Sequence, residues 1–341
     1  MPSMITNGKN GYQKIAIAAL VLIVIVFPLV AGSNYLRSIA TKILMYCVLA
    51  SSLNVINGYS GQFTLGHVGF VCIGAYTLAL LTTRLQCNYW LAMALSGIFS
   101  AVFGLIVSFP TRKLSGMYLS IVTMGFAEIL RIIFLNWSSF TGGALGIKGI
   151  ATPSLFGQRL SNSYAFYYII FVLLVLMLFC TSRVLKSRVG RAWISIRENP
   201  VAAASLGVNM TFYKSVNIMY GAFWAGIIGA YQASYYRFID TTMFSLDETF
   251  NILTMNIIGG MGTIAGPLVG SLIMNIISEV FRFASEYRLI CYAILIIVMM
   301  WVRPQGLMGT STGNGSSNSA WKRLLQRLFS KKDNKGGALS Q

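Results

Sequence analysis

The sequence predicts an all-α polytopic membrane protein, and three observations carry that prediction. Hydrophobic residues make up 56% of the 341 and charged residues only 10%, whereas soluble domains carry about 25% charged residues. The apolar residues fall into about ten runs of spanning or near-spanning length. The Lys and Arg residues behind the net charge of +18 cluster between those runs, at 111–113, 183–197 and 321–335. Clustering of that kind marks cytoplasmic loops. It does not make the continuous basic face that nucleic acid needs, so nucleic acid is set aside as a partner.

Taken in order, the first run is 15–30, preceded by Lys9 and Lys14. It is long for the apolar core of a signal peptide and lacks a good cleavage site, so it reads as an uncleaved first span. Runs follow at 39–56, 68–81, 90–109, 116–135, 165–180, 216–235, 250–258, 264–283 and 289–302. Those at 68–81 and 250–258 are short enough to be broken or re-entrant. With the N-terminus inside, each basic cluster lands inside, the tail from Arg303 is inside too, and Asp240, Asp247 and Glu248 fall outside. The expected topology is therefore N-in and C-in. Residues 1–308 form the membrane domain and 309–341 a cytoplasmic tail.

Two connections contain no charge and are too glycine-rich for ordinary loops. One runs through 58–69 (Gly-Tyr-Ser-Gly-Gln-Phe-Thr-Leu-Gly-His-Val-Gly) and contains Gly58, Gly61, Gln62, Gly66 and His67. The other covers 259–267 (Gly-Gly-Met-Gly-Thr-Ile-Ala-Gly-Pro) and contains Gly259, Gly260 and Gly262. Non-helical backbone at membrane depth survives only when packed inside protein or lining a wet cavity. Interrupted segments in both halves of a chain also point to a transporter's path. Close helix packing through small residues is the competing reading.

Glu128 is the acidic residue most deeply set in a span, with Arg131 three positions on along the same face. The pair reads as a structural ion pair, with gating as the alternative. Chemistry beyond this is missing from the sequence. No phosphate-cradling G-x-x-x-x-G-K-[ST] loop occurs, so ATP binding is not expected of this chain. Protease, hydrolase and paired-carboxylate patterns are missing too, so the chain does not read as an enzyme. His67 is the only histidine, and the five cysteines form no CxxC pair, so neither a metal nor a cofactor is expected.

The basic segment 183–214 is the most informative. Within it, Pro200 suits a first helical turn with Asn199 as its cap, Ala202 and Ala203 continue a small-faced helix, and Gly207 can end it. Such a helix beyond the membrane surface suits a groove on another protein, or else rests on headgroups. Arg191, Arg197 and Glu198 flank it. Farther on, 309–320 reads as a linker. Residues 321–329 form either an amphipathic helix on anionic lipid or a disordered basic tail.

The pattern Glu198-Asn199-x-x-Ala202-Ala203-x-x-x-Gly207 resembles the cytoplasmic coupling motif of ABC-importer permeases, in the variant of the LivM-type branched-chain amino acid permeases (binding-protein-dependent permease family 2). Other segments are similar to that family in the same order: 58–67, 116–131, 141–147 with Thr141, Gly142 and Gly143, 258–267, and Arg-Pro-Gln-Gly-Leu at 303–307. The resemblance spans about residues 35–309. It implies a type II (cobalamin-importer-like) permease fold in a bacterial cell membrane. It also implies a second homologous (LivH-type) permease, two cytoplasmic ATPases and an extracytoplasmic solute-binding protein as partners. Coupling would fall to 191–207, and the path or its gate to the glycine-rich segments and 141–143. The implied substrate is a branched-chain amino acid, with urea or short amides as the alternative. An ion-coupled carrier is disfavoured by the scarcity of ionisable residues in the spans.

Overall fold

The computed structural model describes residues 24–30, 32–112, 114, 116–155, 158–160, 162–281, 297, 301, 303 and 306–308. The 309–341 tail, Cys291 and most of the runs at 15–30 and 289–302 lie outside the described residues.

The described chain is mostly helical. Helix α1 (Asn34–Asn54) continues directly into a π turn, Val55–Tyr59. After 60–66 come α2 (His67–Thr83), α3 (Tyr89–Thr111) and α4 (Met117–Asn136). Helix α5 (Ser163–Lys186) runs past Cys180, and Arg183 and Lys186 in its last turn complement the helix dipole. Two short helices, α6 (Arg188–Glu198) and α7 (Pro200–Ser205), precede the long α8 (Met210–Tyr236). A helical hairpin, α9 (Leu246–Gly259) and α10 (Gly266–Val280), follows.

Four helical segments among the described residues are long and apolar enough to cross a membrane: Asn34–Tyr59, α3, α4 and α5. Helices α2 and α10 are apolar but shorter. Of the α1 span, 72% of the apolar stretch is buried, against 28% for α4 and α5, so α1 sits at the centre and the other two at the rim. On α3, Leu91, Ile98, Phe99, Val102 and Ile106 form an exposed apolar row, and α4 shows Ile121, Ile129 and Ile132. Such rows suit lipid or a partner subunit rather than water.

Helix α8 packs along α2 and α3, and α1 lies against α5, α8, α9 and α10. The α2–α8 crossing is backbone to backbone, since a Cβ on Gly74 would collide with the Gly226 carbonyl. The α1 C-terminus, α3 C-terminus, α4 N-terminus and α8 N-terminus gather at one end beside α6. There Ser108 Oγ bonds Ser215 Oγ at 2.9 Å and Ser120 Oγ donates to Phe63 O at 2.7 Å. Arg112, Arg183, Lys186, Arg188 and Arg191 belong to this basic end. At the opposite end, β1 (Ile147–Lys148) pairs antiparallel with β2 (Phe238–Ile239), Ile147 facing Ile239. Arg84 caps the chain there through Ser139 O and Phe140 O, and Asp240 begins the next turn. Helix α2 joins the two ends, and α9 runs from the second back to the first.

Candidate coupling surface and the glycine-rich junction

Helix α6 is anchored by its own pattern. Ser187 caps it, its Oγ accepting from Val189 N at 3.2 Å. Gly190, Ala192, Trp193 and Ile196 form the buried face. Trp193 is fully buried with Val55 and Tyr59 of the π turn, and its Nε1 donates to Tyr213 O at 2.9 Å. The opposite face carries exposed Arg191 and ends on exposed Glu198.

Helix α7 follows after one extended residue. Asn199 Oδ1 accepts from Val201 N at 3.1 Å and Ala202 N at 3.0 Å, and Pro200 occupies the first turn, where a missing N–H costs nothing. Gly207, at φ +79°, closes the helix by donating to Ala204 O at 3.0 Å. Only Ala203 is buried. Val201 is 74% and Leu206 83% exposed, so α7 holds an uncovered apolar edge outward at the basic end.

Arg197 joins this pair of helices to both glycine-rich segments. Its Nη1 donates to Gly58 O at 2.6 Å, where the π turn ends. Its aliphatic stem lies against Gly61 (φ +68°), where a Cβ would stand 3.0 Å from Cγ. Its guanidinium lies against Gly262 (φ +78°), where a Cβ would collide with Nη1. Positive φ disfavours a side chain at both positions, and the Arg197 side chain occupies the space each would need. Asn54 ties the segments directly, its Oδ1 accepting from Gly262 N at 2.9 Å and its Nδ2 donating to Thr263 O at 2.8 Å.

The remaining residues of these segments are held by polar side chains. Gln62 Nε2 lies within hydrogen-bond distance of Ser60 Oγ, Lys214 O and Asn217 Oδ1, and Asn217 Nδ2 donates to Val55 O at 3.0 Å, a π-turn carbonyl. Asn57 Oδ1 accepts from both Thr64 N and Thr64 Oγ1 at 3.1 Å. Gly66 sits on the Thr123 backbone with no room for a Cβ. His67 is fully buried, with Nε2 2.7 Å from Ser52 Oγ. Because Ser52 Oγ donates to Leu49 O at 2.8 Å, it accepts from the ring, which puts the proton on Nε2. Gly259 packs on Gly266 across the α9–α10 turn, and Gly260 N donates to Asn256 O at 2.9 Å. Leu307 N and Met308 N then reach Ile258 O and Gly259 O, both at 2.9 Å, so these two residues close on the same junction.

Thr141, Gly142 and Gly143 do not join this cluster. Thr141 is fully buried, its Oγ1 donating to Trp137 O at 2.8 Å, and Gly142 and Gly143 turn the chain with positive φ beyond the far end of α4. Ser120, beside the junction, and Asn136 lie sixteen residues apart on that helix, about 24 Å at 1.5 Å per residue. Glu128 and Arg131 form an ion pair on the same helix, with Nε 3.0 Å from both carboxylate oxygens and a second contact from Nη2. Among the described residues no group of three or more His, Cys, Asp or Glu could hold a metal ion.

The sequence reading singled out the glycines but missed the side chains that lock them, Asn54, Asn57, Asn217 and Trp193. Asparagine inside an apolar run was the available signal, because polar side chains at membrane depth need partners.

The apolar helices fit a multi-helix membrane permease component. The chain matches the family described as "Branched-chain amino acid transport system / permease component" over residues 35–301 and belongs to it. It is 34% identical to the high-affinity branched-chain amino acid transport system permease protein LivM of Salmonella typhimurium, with 89% of this chain and 76% of that protein covered. The LivM of Escherichia coli K12 is 33% identical over the same shares. The permease protein LivH of Salmonella typhimurium is 24% identical, with 77% of this chain and 91% of that protein covered. No solved structure matches the chain.

Proposed function

We propose that this chain is one membrane-spanning subunit of an ATP-driven importer for branched-chain amino acids in the bacterial cell membrane. It pairs with a second homologous permease of the LivH type, two cytoplasmic ATPases and an extracytoplasmic solute-binding protein. The chain has ten spans in a type II arrangement, with both termini and the α6–α7 unit on the cytoplasmic side. The Arg112 and 183–197 clusters lie together at that end, and the acidic turn at Asp240 lies opposite, in support of this orientation.

The carrying observation is the construction of α6–α7. A capped helix with one buried residue and an exposed apolar edge stands clear of the bundle, as a part that docks elsewhere does. The helix before it is fixed to α1, α8 and both glycine-rich turns by Trp193 and Arg197. Movement of an ATPase groove around α7 is thereby delivered to the ends of α1 and α9. Bistable packing there then switches access to the path.

Reconstitution of both permeases with the ATPases in vesicles tests the reading. Uptake of labelled leucine should require ATP, the ATPases and the binding protein. Uptake by the two permeases alone would mark an ion-coupled carrier, and transport of urea or a short amide in place of leucine would replace the substrate.

A further inference from the structure

Arg37, one turn into α1, is a cation that the bundle encloses without supplying a counterion. The residue is 8% exposed, and its Nε is enclosed with no hydrogen-bond partner. Its guanidinium carbon lies 4.0 Å from the centroid of the Tyr164 ring, in the first turn of α5. Among the described residues the one ion pair joins Arg131 to Glu128, so no described carboxylate neutralises Arg37. We propose that Arg37 binds the phosphate of a membrane phospholipid, at the end of the bundle opposite α6–α7. The inference requires a membrane-embedded bundle and holds whatever the substrate is.

Helical geometry keeps Arg37 away from the acidic residues of that end. At about 3.6 residues per turn, Arg37 shares its face of α1 with Thr41, Leu44 and Val48, all buried. Tyr35, Lys42 and Tyr46 occupy the opposite face. There the Tyr35 hydroxyl donates to Glu279, and Lys42 and Tyr46 lie with Glu248. Asp247 is in the first turn of α9, and Asp240 accepts from the Thr242 hydroxyl and Met243 N.

Two helix starts add to the same positive charge. Helix α1 begins at Asn34 and α5 at Ser163, the contact of Arg37 with Tyr164 brings the two together, and neither first turn holds an acidic residue. Each start presents backbone N–H groups without intrahelical acceptors and the positive end of a helix dipole. A cation is unfavourable there until an anion joins it. The guanidinium fork suits phosphate oxygens, and the Tyr164 ring supports its plane from one side.

The surrounding surface selects a lipid over a soluble anion. Leu29, Val30 and Leu36 are exposed close by in the chain, and the 24–30 segment is tied to α5 by the Tyr167 hydroxyl, which donates to Val24 O at 2.7 Å. Acyl chains cover such a surface while the phosphate meets Arg37 at headgroup level, whereas a soluble anion leaves it bare.

Equilibrium binding of labelled dioctanoylphosphatidylglycerol to the full chain in dodecyl maltoside tests the site. Unlabelled dioctanoylglycerol, which keeps the chains and lacks the phosphate, should not compete. Inorganic phosphate and L-leucine, anions without acyl chains, should compete at least about tenfold more weakly than the unlabelled phospholipid. Arg37→Gln should weaken binding at least about tenfold, the loss expected of a charge-assisted contact, whereas Arg112→Gln at the basic end should leave it unchanged. Arg37→Lys keeps the charge without the fork and should lose about threefold, so it decides the matter if Arg37→Gln does not fold. The proposal is overturned if dioctanoylglycerol competes as well as the phospholipid, if Arg37→Gln or Arg37→Lys binds as the wild type does, or if Arg112→Gln removes the binding. Equal competition by inorganic phosphate or leucine would make this a site for a free anion and reject the lipid.

Discussion

The Arg197 guanidinium is a charge set among backbone. Its bond to Gly58 O is charge-assisted, and hydrogen bonds of that type contribute about 1.5–3 kcal/mol. Arg197→Ala should therefore destabilise the purified chain by an amount of that order, seen as a lower unfolding midpoint in a thermal-shift assay. Arg197→Lys keeps the charge but not the planar fork, and should fall between the two. At Gly262, Ala adds about 1–2 kcal/mol of left-handed strain and also displaces Nη1. Gly262→Ala should thus destabilise wild type more than it destabilises Arg197→Ala, and a double-mutant cycle measures that coupling. Strict additivity would mean that the two residues do not touch.

At the level of the element, α6 and α7 depend on different forces. Trp193 is the core of the α6 dock, and Trp→Ala at a buried site costs about 3–5 kcal/mol, so Trp193→Ala should release α6 to limited proteolysis near Arg188. Helix α7 rests on its cap and its terminating glycine. Asn199→Ala should cost about 1 kcal/mol and leave the membrane bundle untouched. Gly207→Val forces a branched side chain to φ +79° and reshapes the exposed end without touching the core. We expect Gly207→Val and Glu198→Ala to assemble normally yet hydrolyse ATP with reduced uptake, measured in vesicles. Normal uptake in both variants would remove α7 from the coupling role. These local features were legible in advance, because cap, proline, alanine run and glycine follow each other within nine residues.

Across the whole molecule, what could be read in the sequence was what depends on neighbours in the chain. Apolar runs and basic clusters located the membrane class and nearly every described helix. The run at 165–180 was the poorest match, because α5 continues through Arg183 to Lys186 once it leaves the apolar stretch. The convergence of Gly58, Gly61 and Gly262 on Arg197 was not legible. Those residues lie up to 204 positions apart, and helical periodicity names a buried face without naming what covers it. The π turn at Val55–Tyr59 was hidden for a related reason: it is held by Asn217 and Trp193 from other elements. Thr141–Gly143 shared a glycine-rich signature with the junction but lies at the opposite end of α4, because composition carries no depth.

If motion at α7 reaches the glycine-rich junction through Arg197, the ratio of leucine imported to ATP hydrolysed by the complete complex in vesicles must differ between wild type and Arg197→Ala. A coupling energy of about 1.5–3 kcal/mol corresponds to a change of about ten- to 150-fold. In Arg197→Ala hydrolysis should persist while the ratio falls by at least about tenfold. An unchanged ratio, with uptake and hydrolysis moving together, would contradict a route through Arg197.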